Sequence, residues 1–165
     1  MKKINIKELG GNAVSLFDDK WCLITAGAVD NYNTMTASWG AMGELWNKDV
    51  CFIFIRPQRY TKEFVEREEY FTLSFFGEEY KKALTFCGRF SGRDYDKAKE
   101  TGLTPVEIDS CTTFGECETV IVCKKIASQE IDPEGFIDKD IDPKNYPMKD
   151  YHTMYIGEVI SCYTR

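Results

Sequence analysis

NTMTASWGAMGELWNKDVCFIFIRPQRYT, Asn33 to Thr61, is the stretch on which the fold turns. It opens on small and hydroxyl-bearing residues, passes glycines and two tryptophans, and closes on the apolar run Val50 to Ile55. Arg56-Pro57-Gln58-Arg59-Tyr60-Thr61 follows, and a helical pattern begins at once, with Thr61 as its expected N-cap and Glu63 in its first turn. A helix start carries unpaired N–H groups and partial positive charge, and arginine adds a forked donor suited to phosphate. The junction therefore reads as an anion site for a phosphorylated cofactor. The plainer alternative is that these residues only cap and solvate the helix. Asn33 to Ser38 adds small residues that let a ligand approach the backbone. Neither segment matches the P-loop or the dinucleotide glycine fingerprint.

Working outward, residues 4–11 suggest a short edge strand or an arm before Gly10-Gly11. Trp21 to Val29 is apolar with little alternation, a strand buried on both faces. Asp30 to Asn33 is turn chemistry, Thr34 to Gly40 a strand, Glu44 to Lys48 an exposed connection, and Val50 to Ile55 a buried central strand. Tyr70 to Phe76 alternates, with Phe71, Leu73 and Phe75 opposite Thr72 and Ser74. Glu78 to Cys87 reads as a helix stopped by Gly88, and Asp94 as the cap of a short helix running to Glu100 and ended by Gly102. Glu118 to Ile126 and Tyr155 to Tyr163 are strands, and Ile131 to Tyr151 is a long polar surface loop. Many short strands with a few short helices predict a mainly β barrel.

A chain of 165 residues spans one domain by length, 1–165, and 43% hydrophobic content supplies a core. A net charge of −6 without a Lys/Arg cluster excludes a nucleic-acid partner. No apolar h-region follows Met1-Lys2-Lys3, and no apolar run approaches the roughly 20 residues of a membrane span. Seven cysteines is an odd count for a disulfide framework, so they are expected reduced, in a cytoplasmic protein. With His152 the only histidine, no metal site is expected. Nothing places a nucleophile beside it, so no catalytic residue is assigned. That absence fits a protein whose chemistry comes from a cofactor.

N-T-M-T-A-S-W-G at 33–40 and R-P-Q-R-Y-T at 56–61 resemble the flavin reductase-like family, which binds FMN on a split barrel, and within it the flavoredoxin-like subgroup. F-C-G-R-F-S-G-R-D at 86–94, T-G-L-T-P at 101–105 and D-Y-H-T-M-Y-I-G-E-V at 150–159 extend the likeness over nearly the whole chain. The resemblance implies that Arg56, Arg59 and Thr61 hold the FMN phosphate, with Gln58 and Tyr60 lining the same turn. It lays Thr34, Met35, Thr36, Ala37 and Ser38 along the ring and ribityl chain. Trp39 either stacks near the ring or fills the core. Cys87, Gly88, Ser91 and Gly92 would border the flavin, and His152 would reach it from the C-terminal loop. Two activities stay open: a flavin reductase using NADH or NADPH, with FMN as prosthetic group or substrate, and a flavoredoxin-type electron carrier reduced by a redox protein partner. The resemblance also implies a homodimer with FMN near the subunit boundary.

Overall fold

The computed structural model describes residues 1–165. Its strands are β1 (Lys2–Ile4), β2 (Cys22–Ala28), β3 (Asn31–Ala37), β4 (Gly40–Leu45), β5 (Lys48–Ile55), β6 (Tyr70–Phe75), β7 (Pro105–Ile108), β8 (Cys111–Phe114), β9 (Thr119–Glu130) and β10 (Thr153–Thr164). The helices are α1 (Ala13–Ser15), α2 (Tyr60–Arg67), α3 (Lys81–Arg89), α4 (Lys97–Thr101) and α5 (Ile141–Asn145). One antiparallel sheet runs β3-β2-β6-β9-β10-β5-β4, with β1 also on β10. Its two end strands, β3 and β4, are consecutive in the chain yet do not pair. The barrel is split there, and only Ser38-Trp39 crosses the seam.

Buried strands explain the missing alternation. On β2, Cys22, Ile24 and Ala26 face a central cluster that also holds Ile53, Ile55, Phe71, Leu73 and Tyr155. Leu23 faces a second cluster with Leu84, Cys87, Ala98, Phe114 and Val122, under α3, α4 and the β7–β8 hairpin. The Thr72/Ser74 face of β6 is likewise covered, not solvated: Thr72 Oγ1 donates to the Thr112 carbonyl at 2.7 Å, and Ser74 Oγ lies 2.9 Å from Thr113 Oγ1. Short hydroxyls on that face are satisfied by the hairpin, one by its backbone and one by a side chain, which alternation alone cannot reveal.

Several local expectations shift. The connection at 44–48 is the tip of a β4–β5 hairpin, with Trp46 and Asn47 at φ 56° and 59°. Two positive φ values suit the tight turns that match strand twist. β7 and β8 form a second hairpin, turned by Asp109 and Ser110. Thr61 does not cap α2; Arg59 occupies that position with no side-chain cap bond, and Thr61 is buried inside the first turn. Gly88 lies within α3 rather than beyond it, and Asp96, not Asp94, caps α4 by accepting from the Lys99 N–H. Gly102 ends α4 at φ +70°, as expected.

The 131–151 segment is folded rather than open. It carries a turn at Pro133–Gly135 and then α5, and its base is tied by the Ile131 N–H to the His152 carbonyl at 2.9 Å. Tyr146 is buried within it, stacked on Phe136 and packed on Tyr151.

Candidate functional site

The seam between β3 and β4 opens onto three cavities in a row. The first, of about 190 Å³, is lined by Met35, Thr36, Ala37, Ser38, Trp39, Phe54, Arg56, Arg59 and His152. The second, about 120 Å³, adds Gln58, Tyr60, Thr61, Arg89, Phe90, Ser91, Gly92 and Lys97, and shares Met35 and Arg59 with the first. The third, about 600 Å³, shares Tyr60, Gly92 and Lys97 with the second and runs out past Thr34, Tyr32 and Tyr95. Fourteen of the sixteen expected residues line this trough, and the other two, Gly88 and Cys87, reach it only through their carbonyls, which accept from Arg59 and Lys97. The Cys87 thiol is fully buried in the outer cluster, away from the trough.

Each wall is fixed from behind. Thr34 Oγ1 lies 2.8 Å from Thr25 Oγ1, and Thr36 Oγ1 donates to the Leu84 carbonyl, tying β3 to β2 and α3. Asn33 Nδ2 donates to Thr61 Oγ1 at 2.7 Å, joining β3 to the start of α2. The Thr61 hydroxyl is thereby engaged by protein. Gly92 packs on the same carboxamide, and a Cβ there would collide with it. Gly88 likewise lets α3 approach Thr36, where an added Cβ would sit 3.3 Å from the Thr36 Cβ.

The two arginines of the strand–helix junction differ. Arg56 is matched by protein: it donates to Asp150 Oδ2 at 2.6 Å and to the Asn145 carbonyl at 2.8 Å, with its guanidinium 5.1 Å from the Tyr146 ring centre. Gln58 donates to the same Asp150 oxygen at 2.7 Å. Arg59 has no carboxylate; it donates to the Gly88 carbonyl at 2.6 Å. Burial, then the nearby Arg56 charge, lowers its proton affinity.

Lys97 stands beside it. Its ammonium is 6% exposed as a residue and donates to the carbonyls of Thr34 at 2.6 Å and Cys87 at 2.8 Å, with no carboxylate partner. Burial pushes it down to about 8. Two desolvated cations face one cavity without a protein anion. Buried charges are ordinarily paired, so this set is suited to an anion from outside. Sequence reading missed Lys97, because Asp94-Tyr95-Asp96-Lys97-Ala98-Lys99-Glu100 looks like a solvated helix start. Its burial comes from α4 docking on the C-terminal end of α3. Asn33 and Phe54 were missed for the same kind of reason, being read as turn and core.

At the other end of the trough, His152 is 8% exposed, its Nδ1 2.9 Å from the Tyr146 hydroxyl and its ring 5.2 Å from that of Trp39. Burial and the Arg56 charge push it down to about 4. Trp39 is half-exposed at the seam, so it is a site wall and not core.

A protein-family model described as a flavin reductase like domain matches residues 15–165. The chain belongs to the flavin reductase-like family. No curated protein matches this family member in sequence. Solved structures match its fold. The FMN-binding domain of a flavin reductase-like enzyme from Shewanella baltica superposes with a TM-score of 0.71 at 17% identity, over 99% of this chain and 76% of that one. The flavoredoxin of Desulfovibrio vulgaris (Miyazaki F) gives 0.69 at 21%, over 100% and 76%. The Streptomyces globisporus NADH:FAD oxidoreductase, in complex with NAD and FAD fragments, gives 0.66 at 16%, over 88% and 74%. The split barrel expected from the sequence is thus borne out. No helix of this flavin reductase-like chain is long and apolar enough to cross a membrane.

Proposed function

We propose that this chain binds FMN in the trough and works as a flavin oxidoreductase, taking electrons from NADH or NADPH. The observation that carries the reading is the pair Arg59 and Lys97, two desolvated cations with only carbonyl partners beside the start of α2. They suit the FMN phosphate, together with Ser91 and Gly92 on the facing loop. Thr34 to Ser38 would run along the flavin, with Trp39 and His152 at the far end. Bound flavin supplies the hydride and electron transfer that no side chain here provides. The protein's part is to hold it, to keep Arg56 clear of it through Asp150, and to keep His152 neutral at pH 7. Flavin oxidation state followed by anaerobic stopped-flow mixing of the FMN-loaded protein with NADH and NADPH tests the reading. No reduction by either would remove the reductase assignment.

A flavoredoxin-type carrier, reduced by a redox protein instead, is the second reading. The exposed acidic residues Glu130, Asp132, Glu134 and Asp138, on the segment that leads to His152, favour it, since such a surface suits a basic protein partner. Reduction by a donor protein but not by nicotinamide would select it.

The same seam supports a homodimer as part of this reading. An apolar cleft of about 380 Å³ between Val14, Phe17, Trp39, Phe54, Ile131 and Tyr146 lies open beside the first cavity. Ile137 and Met148 on the 131–151 segment are 97% and 82% exposed. A second copy would cover these surfaces. Sedimentation at micromolar protein, with and without FMN, is the check, and a monomer in both that still binds FMN tightly would refute a shared site. All seven cysteines are free and buried, which fits the reducing cytoplasm.

A further inference from the structure

His152 is the single histidine of the chain, and its two ring nitrogens live in different surroundings. Nδ1 lies 2.9 Å from the Tyr146 hydroxyl, and that is the only hydrogen bond either side chain makes. Nε2 has no protein partner, yet the one buried side-chain polar atom left unpaired in the protein is Asp150 Oδ1. Nε2 is therefore open, and the space it opens to is the first cavity, whose wall His152 forms with Trp39, Phe54 and Arg56.

The phenol decides which nitrogen carries the proton. Tyr146 is 3% exposed, and its hydroxyl has no protein partner other than this ring. If Nδ1 carried the proton it would donate to the phenol oxygen, and the phenol's own proton would have no acceptor. In the other arrangement every group is matched: the phenol donates, Nδ1 accepts, and the ring proton sits on Nε2. Tyr146 is itself immobilised, with its ring stacked on Phe136 at 6.0 Å, packed on Tyr151 at 4.9 Å and capped by the Arg56 guanidinium at 5.1 Å.

We propose that Tyr146 is a positioning residue that fixes His152 as the Nε2–H tautomer, so that the cavity is offered one neutral N–H donor, matched to a carbonyl oxygen on a planar ring resting against Trp39. The charges facing His152 agree with a neutral ring: the guanidiniums of Arg56 from the end of β5 and of Arg59 from the start of α2 oppose its protonation, against the single carboxylate of Asp150. The 33–39 segment contributes no charge. Identifying the acceptor ring as flavin rests on the function proposed above; the tautomer does not.

Because there is one histidine, ¹⁵N labelling of the imidazole reads it without assignment. Long-range ¹H–¹⁵N correlation spectra of the apo protein at pH 7 are expected to show a neutral ring protonated at Nε2 alone. In Tyr146→Phe the same spectrum is expected to become a mixture of both tautomers. Adding FMN, or riboflavin, to the parent is expected to shift Nε2 and leave Nδ1 nearly still. An Nδ1–H or cationic ring in the parent overturns the proposal, and so does a pure Nε2–H ring in Tyr146→Phe. FMN that binds by fluorescence quenching yet leaves Nε2 unmoved overturns the donor role. Should Tyr146→Phe fail to fold, the parent spectrum still decides the tautomer. If FMN does not bind at all, the flavin reading falls, and the apo spectra judge this assignment alone.

Discussion

Arg56 and Arg59 come from one motif and stand three residues apart, but the fold uses them oppositely. Arg56 is held by a carboxylate, a carbonyl and an aromatic face, all from the 131–151 segment or its base. Arg59 holds one carbonyl and otherwise faces a cavity that it shares with another unpaired cation, Lys97. A guanidinium already matched by an anion gains little from a second one. An unmatched, desolvated one gains a great deal. On the function proposed above, the end of the trough near α2, where Arg59 and Lys97 meet, would take the ligand's charge, and the end where His152 stands beside the already matched Arg56 would take its neutral ring.

The contrast breaks most visibly at Arg59. Charge-assisted hydrogen bonds contribute about 1.5–3 kcal/mol, so Arg59→Ala should weaken FMN about 10- to 100-fold at roughly 1.4 kcal/mol per tenfold. Riboflavin, without the phosphate, should bind parent and variant almost equally in a fluorescence titration. Equal losses for both flavins would deny Arg59 its phosphate role. Arg56→Ala should do the reverse, changing FMN affinity only a few-fold while loosening the 131–151 segment, because Asp150 loses its main partner. A loss of about 1–3 kcal/mol is expected for a broken charged hydrogen bond, read as a fall of roughly 2–4 °C in Tm per kcal/mol. Hydrogen exchange should quicken at Ile131 and Tyr146. An Arg56 variant that bound FMN as poorly as the Arg59 variant would erase the distinction.

A subtler separation lies in pH. The folded-state value of His152, about 4, is below its ordinary 6.5, so between these limits the unfolded chain binds more protons. This contribution is full above pH 6.5 and is lost as the pH falls toward 4. Lys97, at about 8 against 10.5, acts the same way at higher pH, so its share of apo stability rises from pH 8 to 10.5. Urea midpoints should show His152→Gln with a flatter acid limb than the parent and an unchanged alkaline one. Bound FMN should flatten the Lys97 rise, since a phosphate favours the charged ammonium. The smallest effect is expected at Cys87, whose thiol is fully buried and pushed up by burial to about 11. Cys87→Ala should keep flavin reduction within a few-fold, and loss of turnover with FMN still bound would call for a thiol mechanism.

Much of this site was legible in the chain. Thr34 to Ser38, the 56–61 junction and Ser91-Gly92 are contiguous motifs, and contiguous residues meet wherever the backbone goes. Long strands were legible too, because β2, β5 and β9 carry apolar runs that can only be buried. The β4–β5 turn was not, since Trp46-Asn47 has none of the glycine that usually marks positive φ. Thr61 looked like a cap because its type is right. Its hydroxyl faces Asn33 instead, a partner 28 positions away in sequence.

By itself, the sequence determined the family and the split barrel, and it named the 34–38 strip that the proposed function lays along a flavin, since residue type and order within short segments carry those. Only the tertiary structure decided which charges are free. Asp150 reaches Arg56 across 94 positions and no carboxylate reaches Arg59. Lys97 is drawn from an expected solvated helix to the carbonyls of Thr34 and Cys87. His152 is turned from a loop histidine into a neutral wall by Tyr146 and burial. The physical reason is common to all three: a charge's worth depends on its desolvation and its partners, and both are set by chain segments remote in sequence that only folding brings within hydrogen-bond reach.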